Sequence, residues 1–278
     1  METYKYIFIV LVYKNLDVLD GFYKSFEEVD SSYKIIIVDS FFSDEVRQKC
    51  KAIALEHNSD FIPIENKGYG YGNNVGIEYA MNHYDYDFLV ISNSDILISN
   101  MGDLEKYKTD SCIIAPEISL ISGKKQNPHL AHYSRLYYFF LKMGYRYNQN
   151  KIVWCGFLVS RLIRELFRIF STLVKRNCYR IFSAHGAFII FTKYSAKQLA
   201  PVFNNEMFLY NEELFLGLKA KQSNVPVIYD KTVKVLHLEG ASAGNNYDSI
   251  RSEYTSYNRL FPLYRDSFLV LDKWKNGN

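Results

Sequence analysis

Runs of β-branched and aromatic residues at 6–12, 34–38, 61–64, 88–91, 112–115, 187–191 and 233–236 punctuate the chain, each short and little interrupted by polar positions. A continuous apolar run of this length is the pattern of a strand buried on both faces. Between the early runs, residues 16–29, 43–58 and 74–83 have helical character. Strand and helix in alternation predict an α/β fold, with a mostly parallel, Rossmann-like sheet flanked by helices and joined by right-handed crossovers. In such sheets ligands bind outside the carboxyl ends of the strands. Asp39 follows "KIIIV", Asp95 follows "FLVISNS" and His237 follows "VKVL", so three polar side chains are expected to leave three strands at one edge. Alone, Asp39 would be read as a helix cap or turn residue; the three together mark a site.

One run raises a sharper question. The apolar stretch 88–91 stops in Ser92-Asn93-Ser94-Asp95 and resumes at once as Ile96-Leu97-Ile98. A lone carboxylate at the end of a buried strand is either a loop cap or a ligand. Upstream, "ENKGYGYGNNVGIEYA" places Gly68, Gly70, Gly72 and Gly76 between a strand and an amphipathic helix. Glycines let backbone approach a ligand, and amides at a helix start favour anions; the alternative is a flexible connecting loop.

Composition narrows the class of protein. Hydrophobic residues at 48% and charged residues at 23% describe a globular chain with ample core rather than a disordered one. Its 278 residues are expected to form one domain (1–278) in three parts, one half at 1–118, a smaller helical segment at 119–180 and a second half at 181–278. A net charge of +3 is too small to point to nucleic acid. The aromatic content, 24 Tyr and 20 Phe, suits stacking on ring-shaped ligands and is equally explained by compositional bias. Cys50, Cys112, Cys155 and Cys178 lack the paired short spacing of zinc knuckles or disulfide frameworks, which fits a reducing cytoplasm. The apolar N-terminal stretch is preceded by Glu2 and is too short to span a bilayer, so it reads as a first strand.

Residues 157–176 place Arg161, Arg164, Arg168 and Lys175 at helical spacing on one side, with apolar residues filling the rest. A cationic amphipathic helix suits an anionic membrane surface, which makes this segment a possible peripheral anchor; the alternative is a helix packed on the core. His129 and His132 lie three apart with no third ligand near in sequence, and are read as part of a polar loop.

Taken in order, "IFIVLVYKN", "IIIVDSFFSDE", "ENKGYGYGNNVGI", "VISNSDI", "SAHGAFIIF", "MFLYNEELFLGLKAKQ" and "VLHLEGAS" resemble the family 2 glycosyltransferases, inverting enzymes of the GT-A fold, and among them bacterial surface-polysaccharide and rhamnosyl-type members. The resemblance covers most of the chain outside about residues 120–180. It implies donor contacts from Val12 and Tyr13, a base contact from Asp39, and Lys67, Gly68 and Asn74 bordering the nucleotide. It further implies that Asn93 and Ser94 line the donor site and that Gly186 and Ala187 let the sugar approach the sheet, with His185 a lesser candidate. Asp95, with His237, would hold Mg²⁺ or Mn²⁺ against the donor diphosphate. Asn93 stands where the family's acidic motif has its first carboxylate, which weakens the expected hold on a hard cation. Glu213 would be the general base and Glu212 its neighbour, the division between the two being open; both would also complement a helix dipole. The implied donor is a nucleoside diphosphate sugar, UDP or dTDP before others. The implied acceptor is a glycan or glycolipid of O-antigen or capsule type, lipid-linked, at the inner face of the cell membrane. The rival readings are a catalytically silent nucleotide-sugar-binding relative and a sugar nucleotidyltransferase.

Overall fold

A computed structural model describes residues 1–29, 31–238 and 250–277, without side-chain detail for 250–253. Four parallel strands form the first half of the sheet: β1 (Glu2–Val12), β2 (Tyr33–Ser40), β3 (Asp60–Ile64) and β4 (Tyr84–Asn93). The second half comprises β5 (Ile96–Asn100), β6 (Ile113–Leu120), β7 (Cys178–Ile181), β8 (Phe188–Thr192) and β9 (Val227–His237). The order is β3-β2-β1-β4-β8-β6-β9-β5, with β7 also on β9. Strands β8, β5 and β7 run antiparallel to their neighbours, while β6 and β9 are mutually parallel and point the same way as β4. The carboxyl ends of β1, β2, β4, β6 and β9 and the start of β8 therefore share one edge.

Both faces of this sheet are buried, as the unbroken apolar runs require. Along β1, Phe8 and Val10 face one core with Phe22, Phe26 and Phe88, while Ile7 and Ile9 face another with Ile36, Val38 and Ile77. That alternation is the period of two expected of a strand. Helices α1 (Leu19–Lys24), α2 (Asp44–Glu56), α3 (Tyr69–His83), α6 (Lys193–Leu199) and α7 (Glu212–Gln222) pack against the sheet or its edges. The predicted helix at 16–29 is shorter than the sequence suggested: α1 ends at Lys24 and a 3₁₀ turn, Ser25–Glu28, follows. Helix α2 starts where expected because Ser43 Oγ accepts the Val46 N–H at 3.3 Å.

A third core lies beside the sheet. Helices α4 (Arg135–Arg146), α5 (Asn150–Val174) and α8 (Ile250–Gly277) bury Tyr138, Tyr145, Val153, Phe261 and Phe268 together with Phe182 and Phe215. This helical layer covers the site edge and supplies its outer wall. Among the described residues, no helix is long and apolar enough to cross a membrane.

Candidate active site

The break in the β4 run is where the sheet edge becomes a site. Asp95 sits in the turn between β4 and β5, and β5 pairs with β9 so that Ile96 lies opposite His237. The Leu238 N–H donates to the Asp95 carbonyl at 2.9 Å, which locks the two segments together. As a result Asp95 Oδ1 and His237 Nε2 are 3.1 Å apart, both buried. The other ring nitrogen, Nδ1, lies 2.7 Å from Gln126 Oε1. With Nδ1–H donating to Gln126, the Nε2 lone pair faces a carboxylate oxygen, and two acceptors in contact need a proton or a cation between them. An oxygen and an imidazole nitrogen whose far side is held by an amide carbonyl are a suitable donor pair for a divalent ion. The remainder of "VLHLEGAS", from Glu239 on, lies outside the described residues.

Glu212 and Glu213 open α7 after a strained turn. Tyr210 and Asn211 both adopt the left-handed conformation (φ 74° and 64°), which is costly for residues with side chains. The turn is held from α8: Asn211 Nδ2 donates to the Tyr264 carbonyl at 2.9 Å, and the Tyr210 and Tyr264 rings stack at 3.8 Å. Glu213 projects to the start of β8, where the Gly186 N–H donates to its Oε1 at 3.2 Å and the Tyr69 hydroxyl donates to the Gly186 carbonyl at 2.7 Å. Glu212 is buried, and its Oε1 lacks a hydrogen-bond partner among the described residues. Its burial, reinforced by the charge of Glu213, raises its pKa to about 8, so at neutral pH it is mainly a neutral acid.

That shift has a consequence for stability. A carboxyl that ionises near 4.5 when unfolded but only near 8 when folded favours the fold below 4.5 and loses that contribution as pH climbs to about 8. Glu212→Gln is therefore expected to flatten the fall in Tm across this window, measured by thermal melts at a series of pH values. An unchanged slope would mean that the site does not hold Glu212 neutral.

His129 and His185 join Glu213, their ligating atoms all within 4.8 Å of one another. Burial lowers both imidazoles to about 3, with Arg164 adding to the effect at each, so both are neutral. The Ala187 N–H donates to His185 Nδ1 at 3.1 Å, which places the single proton of the neutral ring on Nε2. A protonated nitrogen is a donor, not a metal ligand. This trio therefore suits hydrogen bonding better than ion binding, and the Asp95–His237 pair is the better metal candidate.

Of the residues singled out from the sequence, Asn93, Asp95, Gly186, Ala187, Glu212, Glu213 and His237 line one cavity of about 550 Å³, with His129 and His185. The Asn93 N–H donates to the Ala187 carbonyl at 2.9 Å, and Ser94 is buried beside it. Asp39 lies on the same edge, across β1 and opposite Val12, roughly 10 Å from β4 by strand spacing. Its Oδ2 accepts from Arg47 Nε at 2.5 Å, whereas its buried Oδ1 has no partner among the described residues. Exposed aromatic rings surround it: Tyr13 meets Phe42 edge to face at 5.3 Å, and Arg47 lies over Phe41 at 4.7 Å.

The glycine segment serves packing instead. Gly68 has φ +100°, and a Cβ there would overlap the Phe208 carbonyl, which already accepts the Tyr69 N–H. Gly72 and Gly76 bring α3 against Leu11 and Ile9 of β1. Asn74 is consumed in a clamp, donating to the Phe203 carbonyl and Asn205 while accepting the Phe203 N–H at 3.0 Å. Lys67 pairs with Glu65 at 3.2 Å and lies over Tyr71. None of the three lines the cavity. Gly68→Ala is expected to destabilise the fold by roughly 2–3 kcal/mol, read by chemical denaturation; an effect below the error of the measurement would contradict this packing role.

Sequence reasoning also misplaced two features of the outer wall. His129 is not in a free polar loop but part of the cavity wall, while His132 packs its ring toward Phe167. In α5 the expected outward-facing row of cations is divided: Arg161 and Lys175 are exposed, while Arg164 and Arg168 are half-buried. Arg161 and Arg164 line the cavity, and Arg168 donates to the Lys125 carbonyl and pairs with Glu165. The exposed side is apolar: Leu162 is 61% exposed, Leu173 75%, with Leu166, Ile169 and Phe170 between them. Trp154, Phe157, Tyr257 and Tyr264 complete the wall, and no local motif singled them out.

No family model matches the chain. A low-salt glycan biosynthesis hexosyltransferase, Agl10 of Haloferax volcanii, is 22% identical over 262 residues, covering 89% of this chain and 72% of that protein. Among solved structures, S. aureus TarS is similar over 84% of this chain (TM-score 0.51, 16% identity), and GalNAc-T7, crystallised with UDP, GalNAc and Mn²⁺, over 85% (TM-score 0.55, 12% identity). The chain spans only 36% and 45% of those two structures. In fold the chain is GT-A, as TarS and GalNAc-T7 are, and its similarity to a glycan-biosynthesis hexosyltransferase is consistent with a family 2-like glycosyltransferase.

Proposed function

We propose that the chain transfers a hexosyl group, with inversion and with the help of Mg²⁺ or Mn²⁺, from a UDP- or dTDP-sugar to a surface-glycan acceptor carried on a lipid. The observation that carries the reading is the meeting of Asp95, His237 and Glu213 in one cavity at the carboxyl edge of a GT-A sheet. GalNAc-T7, with UDP, GalNAc and Mn²⁺ bound, supports a nucleotide-sugar donor and a metal on this fold.

The donor would lie along the edge. Asp39 has one carboxylate oxygen engaged by Arg47 and one buried and unpartnered, an acceptor for the single imide N–H of uracil or thymine. Tyr13, Phe41 and Phe42 offer stacking surface around it. From Asp39 to the end of β4 is the reach of a nucleoside, which brings the diphosphate to Asp95. Asp95 and His237 would hold the divalent ion, which when bound offsets the charge gathering on the leaving diphosphate.

The acceptor side belongs to Glu213. Gly186 N–H fixes one of its oxygens, leaving the other to take the proton of the acceptor hydroxyl. As the acceptor oxygen, giving up that proton, bonds to the anomeric carbon, the bond from this carbon to the diphosphate breaks on the opposite face and the nucleoside diphosphate departs. Glu212, largely protonated, is poorly suited to be the base and serves as a neutral donor beside it. His185, with its proton on Nε2, is likewise a donor to this corner of the cavity.

The lipid-linked acceptor implies a location at the inner face of the membrane. Exposed Leu162, Leu166, Ile169 and Leu173, followed by exposed Lys175 and Arg176, suit the boundary of an anionic bilayer. Leu166→Asp with Ile169→Asp is expected to reduce co-flotation with anionic vesicles at least several-fold; undiminished flotation would reject this face as the contact.

Calorimetric titration of UDP-, dTDP- and GDP-sugars, with Mn²⁺ and with chelator, tests the function. The reading predicts metal-dependent binding of a pyrimidine nucleotide sugar. Donor binding that is unchanged by chelator would favour the catalytically silent relative, a reading to which Asn93, in place of a carboxylate, lends support, and failure of every donor to bind would count against a nucleotide-sugar site.

A further inference from the structure

Helix α5 divides its surface in an unusual sense. Arg161, which is exposed, and Arg164, which is half-buried, both line the cavity, while the outward stripe of the helix is apolar. Two guanidinium groups give this wall of the cavity a positive charge, which favours an anion beside it. After burial, the charge of Arg164 is the next influence that holds His129 neutral. On the sheet side the cavity presents acids instead: Asp95, Glu212 and Glu213. The two walls are therefore opposite in sign. Aromatic rings, Trp154 and Tyr257 among them, also line the cavity.

The rim connects the two faces of the helix. Leu158 lines the cavity and is also 43% exposed, and one turn further on Leu162 begins the outer stripe that runs through Leu166 to Leu173. An acceptor with its anionic group at the arginines would find apolar surface at the cavity mouth. We propose that Arg161 and Arg164 form a subsite for the phosphate or diphosphate ester of an amphiphilic acceptor, whose apolar chain leaves past Leu158 along the outer face of α5. The inference rests on the transferase reading for the word acceptor, and it assigns the anion to the α5 wall, distinct from the donor diphosphate at Asp95. In this arrangement a sugar held among the aromatic rings presents its hydroxyl to Glu213.

The test uses dodecyl phosphate below its micellar concentration, with inorganic phosphate and dodecyl maltoside as controls, titrated calorimetrically into the full chain. Wild type should bind dodecyl phosphate more tightly than either control. Arg161→Gln with Arg164→Gln should weaken that binding by roughly tenfold or more, the scale of losing charge-assisted hydrogen bonds, while UDP binding in the presence of Mn²⁺ stays at the wild-type value. Should the double variant melt early, Arg161→Lys with Arg164→Lys serves in its place and should retain most of the affinity. Leu158→Asp should weaken dodecyl phosphate and spare inorganic phosphate. Equal binding of dodecyl phosphate to wild type and the Gln variant overturns the proposal. So does loss of UDP binding alone, which would give the arginines to the donor, or binding of inorganic phosphate as tight as that of dodecyl phosphate, which would mean a free-anion site. If UDP fails to bind wild type while dodecyl phosphate binding remains arginine-dependent, the transferase reading falls and the subsite stands.

Discussion

Glu213→Gln is expected to lower kcat by about 10²–10⁴-fold, the usual contribution of a positioned general base, while leaving the Kd for the donor nearly unchanged. The substitution keeps the shape of the side chain and its hydrogen bond from Gly186 but removes the group that takes the acceptor proton. Because only the transition state needs that proton removed, the loss falls on kcat rather than on donor binding. Comparable losses in donor affinity and in kcat would indicate that Glu213 holds the donor or a metal instead. The neighbouring acid provides an internal control. Glu212 is held largely protonated, so Glu212→Gln replaces one neutral group by another and should cost far less in rate. A Glu212→Gln variant as inactive as Glu213→Gln would reverse the assignment.

Asp95→Ala should abolish the metal dependence of donor binding. The carboxylate is the charged member of the Asp95–His237 pair, and Asn93 contributes only a neutral amide beside it. With that charge gone, a hard divalent cation retains one imidazole, a weak hold for Mg²⁺ or Mn²⁺. Donor affinity measured with Mn²⁺ should then fall to the value measured with chelator, and the two titrations should become superimposable. If the variant keeps a clear difference between them, the ion is bound elsewhere, with the His129–His185–Glu213 group the first place to look.

The parts of this site that could be read in the sequence are those that the sheet itself delivers. A strand buried on both faces announces itself as an apolar run, and the polar residue that ends it must lie at the edge; Asp39, Asp95 and His237 were legible for that reason. Glu213 was legible only through the resemblance of its motif, since two acids at a helix start have an ordinary explanation in the helix dipole. What was hidden depends on contacts distant in sequence. Asn74 was a donor-site candidate only through the resemblance of its segment, and its hydrogen bonds go to residues 203 and 205, more than a hundred positions away. The arginines of α5 have the spacing of a solvent-facing row. Arg161 and Arg164 reach the cavity because, in the third core, α4 and α8 cover the flank of α5 that carries Val153 and Phe157. Helical periodicity gives the angle between the two faces of a helix and not which of them is covered.

A crystal structure of the complex with UDP and Mn²⁺, with the ion located by its anomalous scattering, tests the central claim most directly. The account predicts the uracil imide at Asp39 Oδ1, the diphosphate at the end of β4, and the ion between Asp95 and His237, with Glu213 uncoordinated and facing the remaining cavity. An ion on Glu213 and His129, or a nucleotide bound away from the edge formed by β1, β2 and β4, would contradict it.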